Sequence, residues 1–549
     1  MNARIAAEVI AACGRLGVRT FCVCAGSRNH DLLLQLLRGP WQGEMLPFFE
    51  ERSAAFFALG RCLAGGRPAA VLTTSGTAAA ELLPAAIEAH YQALPLVLVT
   101  ADRPLRFRGT GAPQAIEQSH LFGPYADYRG DVTKPGDAEW ACQGWKGRHP
   151  LHLNVPLEEP TGETVQTGQV AMLLRPPDTE PVPLPREELA SFRRFLRLPG
   201  PCVVAVGQCR GMDGAVGIRF LDRIGAPILA EATSGLRGHP ALEHLLIKGG
   251  EAVLRDLPFR KVLRLGGVPS GRWWRDLETS GVEVFSMAPS GFPGLARPSE
   301  CLACEPSAVA ATMEPVRQEV PAGWEIRDIM ATHWLTGLLQ RFPGSEPSLL
   351  HDLSQVIDGP GTLFLGNSLP LREWNLAAKR KQAERLRCFA LRGANGIDGA
   401  LSTFLGLCEN GQENWGVFGD LTTLYDLAAP WALRHARRDL RVRFVVLNNG
   451  GGGIFRHLPS LRGLSEGEKD LFYGGHYLSF EPWARMWNLG YRLIAGERAQ
   501  EDVLGLPGSS WKSDKARDEI IEIRPDPAQT QEFWEGMRDP RASGLESEG

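Results

Sequence analysis

Two short stretches late in the chain place oxygen ligands where a cation and a phosphate could be held together. The apolar run Trp415-Gly416-Val417-Phe418 leads into Gly419-Asp420, and residues 444–447 lead into Asn448-Asn449-Gly450-Gly451. Read as neighbouring strands, the two runs deliver a carboxylate and a carboxamide to one edge of a sheet, where open α/β sheets bind ligands. Hard oxygen donors of this kind suit magnesium, with phosphate oxygens and water completing an octahedron. The glycines at 450–453 remove side chains where backbone must approach a diphosphate, and their N–H groups can bind the anion. Each part also has a plain structural reading, since an Asp after a strand can be a helix N-cap and Asn-Gly an ordinary turn. Their succession in adjacent βα units, ending in the glycine run, favours the metal–diphosphate reading. No strand is followed by G-x-G-x-x-G, and G-x-x-x-x-G-K-[ST] is absent, so the dinucleotide and P-loop modes are disfavoured.

Parallel sheets are needed to position such residues, and the chain carries their signature. Short continuous apolar runs alternate with helical stretches, as buried parallel strands do. A first block opens with an amphipathic helix over 1–16 and has strand-like runs at 21–25, 69–74, 95–100 and 151–156, with a helix over 77–92. A second has runs at 202–206, 227–230, 262–265 and 282–285, and a third at 362–365, 415–418 and 444–447, with one helix over 423–437. The proline-rich segment 175–186 (RPPDTEPVPLPR) reads as a linker, and prolines at 315–321 and 343–347 bracket the passage into the third block. The expected architecture is α/β, with three doubly wound parallel-sheet domains over 1–175, 187–320 and 345–549. A chain of 549 residues is too long for a single core, which agrees with this division.

Composition narrows the partners. A formal net charge of -4 gives no electrostatic reason to expect nucleic acid or an anionic membrane surface. The eleven cysteines are scattered, several in apolar runs such as Phe21-Cys22-Val23-Cys24, the pattern of reduced thiols. Cys301 and Cys304 form a lone C-x-x-C with no second pair at zinc spacing and read as packing residues. Charges within 1–16 argue against a signal peptide, and no uncharged run approaches a membrane span, so a cytoplasmic protein is expected.

Gly419-Asp420 followed, after a helix and a strand, by Asn448-Asn449 resembles the diphosphate motif of the thiamine-diphosphate enzymes. The resemblance implies an N-terminal pyrimidine-binding domain, a middle domain and a C-terminal diphosphate-binding domain, of the thiamine-diphosphate-binding type. It implies Mg2+ (Mn2+ as the alternative) on Asp420, Asn449 and the Gly451 carbonyl. It places the cofactor against Thr77, Ser368, Asn395, Ile397, Gly419, Asp420, Leu421, Asn449, Gly451, Gly452, Ile454 and Phe455. Glu51, in Phe48-Phe49-Glu50-Glu51-Arg52-Ser53, aligns with the family's catalytic glutamate. A carboxyl group on the pyrimidine N1′ favours the tautomer that activates thiazolium C2, which makes the cofactor an electron sink for 2-oxo acid decarboxylation. Phe48, Phe49 and Phe56 would raise its pKa toward neutrality. Taken alone, Glu51 would read as a solvated helix-start carboxylate. The resemblance further implies that Glu51 meets Asp420 of another copy, hence a homodimer or a dimer of dimers.

Further segments are similar to one branch, called MenD, that makes 2-succinyl-5-enolpyruvyl-6-hydroxy-3-cyclohexene-1-carboxylate. They are Gly26-Ser27-Arg28, Thr74-Ser75-Gly76-Thr77-Ala78, Glu88-Ala89, Thr100-Ala101-Asp102-Arg103-Pro104, Gly366-Asn367-Ser368 with Arg372, and Arg392-Gly393-Ala394-Asn395-Gly396-Ile397-Asp398-Gly399. The last runs from Asn448-Asn449 through Ile454-Phe455 to Leu458-Pro459. The branch decarboxylates 2-oxoglutarate and adds the succinyl unit to isochorismate, in menaquinone synthesis. Planar arginines suit the carboxylates of both substrates. The resemblance offers Arg28, Arg103, Arg372 and Arg392, with Arg272 in place of a middle-domain lysine. Ser27, Gln114 and Ser368 are their hydrogen-bonding companions, Gln114 also as a catalytic residue. Phe455 and Leu458 would form an apolar wall, and Ile397 would prop the cofactor in its bent form. For any one arginine a surface salt bridge remains the plain alternative, and for the apolar residues core packing.

Several positions depart from the branch pattern: Asn29 and His30 after Ser27-Arg28, Glu50 for an aspartate, Ser53 for a glycine, Pro113 for an asparagine, and Leu421 for the last glycine of Gly-Asp-Gly. Two other functions stay open at this level. One is a different thiamine-diphosphate decarboxylase or carboligase; the other is a catalytically silent paralogue kept for binding.

Overall fold

The structure, a computed structural model, describes residues 1–165, 184–185, 187–255, 257–357, 359–380, 386–435, 439–461, 463–508 and 518–538. The linker candidate at 175–186 lies outside these except for residues 184 and 185.

Among the described residues there are three sheets, all parallel. The first contains β1 (Thr20–Cys24), β2 (Glu44–Phe48), β3 (Ala69–Thr73), β4 (Leu96–Asp102) and β5 (Leu151–Pro156), in the order β2-β1-β3-β4-β5. The second contains β6 (Cys202–Val206), β7 (Ile228–Ala230), β8 (Lys261–Leu265), β9 (Glu283–Met287) and β10 (Glu300–Leu302), in the order β10-β9-β8-β6-β7. The third contains β11 (Gly361–Leu365), β12 (Leu386–Phe389), β13 (Glu413–Gly419), β14 (Arg441–Leu447), β15 (Gly490–Ala495) and β16 (Asp518–Arg524), in the order β12-β11-β13-β14-β16-β15. In each sheet the chain starts inside, adds its second strand on one side and the next on the other. The reversal creates a crevice at the carboxyl ends between the first and third strands of each set. The expected α/β class with parallel sheets is what the chain forms.

The chain divides into two compact units. The first comprises Met1–Thr179, Leu391–Cys408 and Tyr425–Arg438. On one face of its sheet Phe21, Val23, Leu72, Val97 and Leu153 pack with Ile5, Val9 and Ile10 of the helix Asn2–Arg15. The helix Glu51–Gly65 is opened by Glu50, whose carboxylate accepts from Arg52 N (3.1 Å) and Ser53 N (2.9 Å), and it ends at Gly66 in the left-handed region (φ 66°). That helix lies backbone-close against the helix Ala400–Leu407. A Cβ on Gly60 would stand 2.2 Å from the Thr403 carbonyl oxygen, and one on Gly406 2.2 Å from that of Phe57. Segment 391–408 therefore seats on the helix that begins with Glu51.

The second unit comprises Glu180–Ala390, Glu409–Leu424 and Asp439–Gly549 and holds the other two sheets. Helices Glu346–Val356 and Leu369–Ala377 share a core with the third sheet through Leu349, Leu350, Leu353, Leu371 and Trp374.

Two expected helices differ. The stretch 77–92 is broken into Thr77–Ala80 and Leu83–Tyr91, because Pro84 at the first turn of the second helix lacks an amide hydrogen. Instead of one helix over 423–437 there is a short helix Asp420–Tyr425 and a 3-10 stretch Ala429–His435. Pro430 lacks the amide hydrogen that a continuous α-helix would bond to the Asp426 carbonyl, and the Asp426 carboxylate takes Ser402 N–H (2.8 Å). Strands β2, β10, β12, β15 and β16 carry no clean apolar run. The first four are edges, where burial on both faces is not required, and β16 sets Glu519 and Glu522 among its isoleucines. Among the described residues no helix is long and apolar enough to cross a membrane.

Candidate active site

The edge of the third sheet gathers the expected metal residues. Strand β13 ends at Gly419, and buried Asp420 opens the next helix with both oxygens engaged: Oδ1 accepts from Leu421 N (2.6 Å) and Oδ2 from Gly451 N (2.8 Å). Burial raises the Asp420 pKa, opposed by these amides and by His476. His476 Nδ1 accepts from Leu478 N (3.2 Å), which leaves the ring proton on Nε2, 3.2 Å from Asp420 Oδ2. Gly451 needs its glycine, because at φ 137° a Cβ would lie 2.5 Å from the Tyr473 carbonyl oxygen. Its own carbonyl accepts from Gly453 N at 2.8 Å, which leaves one lone pair.

Asn449 supplies the test of fit for a cation. Its Nδ2 donates to Glu346 Oε2 (2.9 Å), while Oδ1 is buried with no hydrogen-bond partner. An orphaned carboxamide oxygen is costly unless something electropositive meets it. Burial, and after it the nearby Asp420 charge, push the Glu346 pKa up to about 7 against the Asn449 hydrogen bond. Asp420, Asn449 Oδ1 and the free lone pair of Gly451 are the hard oxygen set magnesium takes, so the residues fit the ion. Among the described residues no group of three or more His, Cys, Asp and Glu forms another metal cage. Behind Glu346 stands Glu373, fully buried, and burial followed by the Glu346 charge raises its pKa well above the carboxylate range. Two adjacent carboxyl groups away from water cannot both ionise.

Around this edge, Ser368 follows β11 in the left-handed region (φ 76°) and precedes the helix Leu369–Ala377, on which Arg372 is exposed. Holding a non-glycine residue there costs free energy, as at many binding sites. Ile454 and Phe455 are half-buried in the turn Gly453–His457, and Leu458 is exposed. Leu421 is half-buried, and Gly452 is buried where a Cβ would stand 2.7 Å from the Phe455 ring. Asn448 serves the scaffold, its Nδ2 donating to Leu478 O and Glu522 Oε1, both at 2.8 Å. Arg272 is 66% exposed along its side chain, and its ion pair is with Asp276 one turn on (3.8 Å).

In the first unit, Glu51 is the first residue of its helix, half-buried, with its pKa raised mainly by burial and then by the charges of Glu50 and Glu81. Of the three aromatics expected around it, Phe48 and Phe56 are buried, whereas Phe49 is 56% exposed with its ring on Trp431. Beyond β1, Asn29 closes the turn, its Oδ1 accepting from Gly26 N (2.9 Å) and its Nδ2 donating to Cys24 O (2.8 Å). Ser27 is exposed, and Arg28 is buried. Arg28 donates to Leu157 O (3.0 Å) and Glu159 Oε1 (2.8 Å), and Arg103 Nη1 lies 3.6 Å from that same oxygen. Two of the carboxylate-binding candidates thus converge on a carboxylate of the chain itself.

Gln114 is exposed in the left-handed region (φ 58°), and a Cβ on Gly76 would lie 3.2 Å from its Cα, so this loop covers the residue before exposed Thr77. Gln118 fixes the arrangement. It accepts from Gly76 N (2.8 Å) and donates to Ala101 O (3.1 Å) and Asn154 Oδ1 (3.0 Å). Buried Glu88 accepts from Gly393 N and Ala394 N, both at 2.7 Å, and so fixes the loop with Arg392, exposed Asn395 (φ 62°) and half-buried Ile397.

Glu88, Gln118, Glu159, Glu346, Glu373 and His476 were not singled out for the site. Glu88 stood within a quoted motif. The others lie in segments whose local patterns are ordinary, and only folding brings them to their partners.

A model of the thiamine pyrophosphate enzyme N-terminal TPP binding domain matches residues 3–121. The 2-succinyl-5-enolpyruvyl-6-hydroxy-3-cyclohexene-1-carboxylate synthase of Bdellovibrio bacteriovorus is 38% identical over 545 residues, 97% of this chain and 98% of that protein. The enzyme of the same name from Akkermansia muciniphila is 38% identical over 535 residues, 96% and 97% of the two chains. The crystal structure of benzoylformate decarboxylase from Polynucleobacter necessarius aligns with a TM-score of 0.66 over 95% of this chain and 98% of that one. At 15% identity that is a likeness of fold.

Proposed function

We infer that this chain, which belongs to the 2-succinyl-5-enolpyruvyl-6-hydroxy-3-cyclohexene-1-carboxylate synthase family of thiamine-diphosphate enzymes, catalyses that family's step in menaquinone biosynthesis. It decarboxylates 2-oxoglutarate and adds the succinyl unit to isochorismate, releasing CO2. The observation that carries this reading is 38% identity along 97% of the chain with a synthase of that name.

Thiamine diphosphate, when bound, supplies the carbon that attacks the 2-oxo acid and the ring system that takes up the electrons of the broken C–C bond. The protein's part is to bind, orient and move protons. We assign Glu51 to the pyrimidine N1′, where burial, by raising its pKa, favours holding a proton to share with that nitrogen. Asp420, Asn449 and the Gly451 carbonyl hold Mg2+ or Mn2+ against the diphosphate, and the orphaned Asn449 Oδ1 supports this. Thr77, Ser368, Asn395, Ile397, Gly419, Leu421, Gly452, Ile454 and Phe455 complete the cofactor's surroundings. Arg28, Arg103, Arg272, Arg372 and Arg392, with Ser27, Gln114 and Ser368, orient the substrate carboxylates. Phe455 and Leu458 face their apolar parts. The active form in this reading is a homodimer or dimer of dimers in the cytoplasm, with domains at 1–175, 187–320 and 345–549.

The test is to incubate the purified chain with thiamine diphosphate, Mg2+, 2-oxoglutarate and isochorismate, following isochorismate loss and CO2 release. Coupled turnover is expected. Turnover of pyruvate with 2-oxoglutarate left unused would overturn the assignment.

A further inference from the structure

We propose that Glu346 is a positioning residue for the metal-binding carboxamide: by accepting the Asn449 NH2 it turns Oδ1 outward as the ligand. This rests on the reading of Asn449 as a metal holder.

The two ends of a carboxamide have nearly the same shape and opposite polarity. Only one of them can serve a cation, so a carboxamide ligand needs something to decide which end faces it. A carboxyl oxygen that carries no proton can only accept a hydrogen bond, and the amide NH2 can only donate. The 2.9 Å contact between Asn449 Nδ2 and Glu346 Oε2 therefore fixes which end faces inward. Rotating the amide by half a turn would set Oδ1 against the Glu346 oxygen and point two N–H groups at the cation. Both contacts are repulsive. The end left outward is Oδ1, which is buried with no hydrogen-bond partner.

Glu346 is itself held in place. Its backbone N–H donates to Thr530 Oγ1 (3.0 Å), and it opens a helix whose preceding residue, Ser345, caps it by accepting from Ser348 N. Glu373 stands behind it on the helix Leu369–Ala377, and both side chains are buried. Neither carboxyl group reaches water, so the Glu346 oxygen that holds the amide has no solvent to turn to. The helix that carries Glu373 follows directly on Ser368, and one element thus supports two residues of the cofactor edge.

The experiment titrates Mg2+ into the full chain at saturating thiamine diphosphate and follows cofactor binding by tryptophan fluorescence. Glu346→Met removes the acceptor and is expected to raise the Mg2+ midpoint about tenfold or more, the usual effect of losing a partner that orients a ligand. Glu346→Gln keeps an oxygen for Asn449 and can donate to Glu373, so its midpoint should stay within about threefold of the parent. In an Asn449→Ala background, Glu346→Met should add nothing further. Asn449→Asp sets two carboxylates face to face and should bind Mg2+ poorly, and adding Glu346→Gln should restore the midpoint.

A purely structural Glu346 would not distinguish Met from Gln in this way and would not give the rescue. If Glu346→Met leaves the midpoint unchanged while Asn449→Ala raises it, the inference fails and the metal reading stands. If Asn449→Ala leaves it unchanged, the metal reading fails and takes the inference with it. Should Glu346→Met not fold, the Asn449→Asp pair decides, and absence of rescue overturns the proposal.

Discussion

The first and third sheets carry their candidate residues beyond equivalent strands of the same winding order, but they leave opposite charges to be answered. At the third sheet, Asp420, Glu346 and Glu373 are buried together, and Asn449 Oδ1, Glu346 Oε1 and both Glu373 oxygens are buried with no hydrogen-bond partner. On the proposed function, that edge takes a cation. At the first sheet the arginines already have a counter-ion, since Arg28 and Arg103 share Glu159 Oε1. On the proposed function, a substrate carboxylate arriving there meets an occupied fork, whereas a metal ion arriving at the third sheet meets an Asn449 amide already turned by Glu346. Buried charges must be compensated, so the edge whose partner is a resident ion can leave a gap. An edge visited by passing substrates has to be stable between visits.

Experiments can break or sharpen that contrast. The largest effect is expected from Glu51→Gln, which should bind thiamine diphosphate normally and lose roughly 10²- to 10⁴-fold in kcat, the range of a lost acid–base group. Near-parental turnover would remove Glu51 from the chemistry. Asp420→Ala should act on affinity instead, weakening Mg2+-dependent cofactor binding by more than about 100-fold, beyond what loss of an orienting partner does. Calorimetric titration measures it, and an unchanged dissociation constant would mean that the third edge takes no cation.

Smaller effects probe the first sheet. Arg28→Lys gives up a planar donor and should raise the substrate KM about tenfold, equivalent to one charge-assisted hydrogen bond. Glu159→Gln removes the resident counter-ion and should lower KM, by at most about fivefold because an exposed pair is worth only about 1 kcal/mol. Should Glu159→Gln raise KM, Glu159 would be a support for the arginines and not a competitor for them.

A pH effect tests the scaffold of the same sheet. Burial lowers the His152 pKa from 6.5 to about 3. The folded state therefore refuses a proton that the unfolded chain binds below 6.5, and stability present above 6.5 is lost as the pH falls toward 3. The slope from this one group is at most about 1.4 kcal/mol per pH unit. Thermal unfolding across that window should show a shallower slope in His152→Gln, and an identical slope would mean that other groups take up the protons.

Much of this was legible in the chain itself. The buried strands read out because burial on both faces demands unbroken apolar runs such as Ala69–Thr73, all of it buried. Edge strands such as Gly490–Ala495 escape that demand, and so escaped the reading. Asp420 and Asn449 were found because sheet topology places the residue after a parallel strand at the ligand edge. Glu346 was not, because nothing near it in sequence marks it. Its meaning lies in a contact with Asn449 across 103 positions.

The sequence alone determined the parallel α/β sheets and singled out Asp420 and Asn449 by residue type and local spacing, while Glu51 and the arginine set came from the resemblance to thiamine-diphosphate enzymes. Only the tertiary structure decided which acid faces the Asn449 amide, that Glu159 lies between Arg28 and Arg103, and that the loop with Ile397 hangs on Glu88. Hydrogen bonds and ion pairs between distant segments depend on distances of a few ångströms. Local propensity fixes the elements but not those distances.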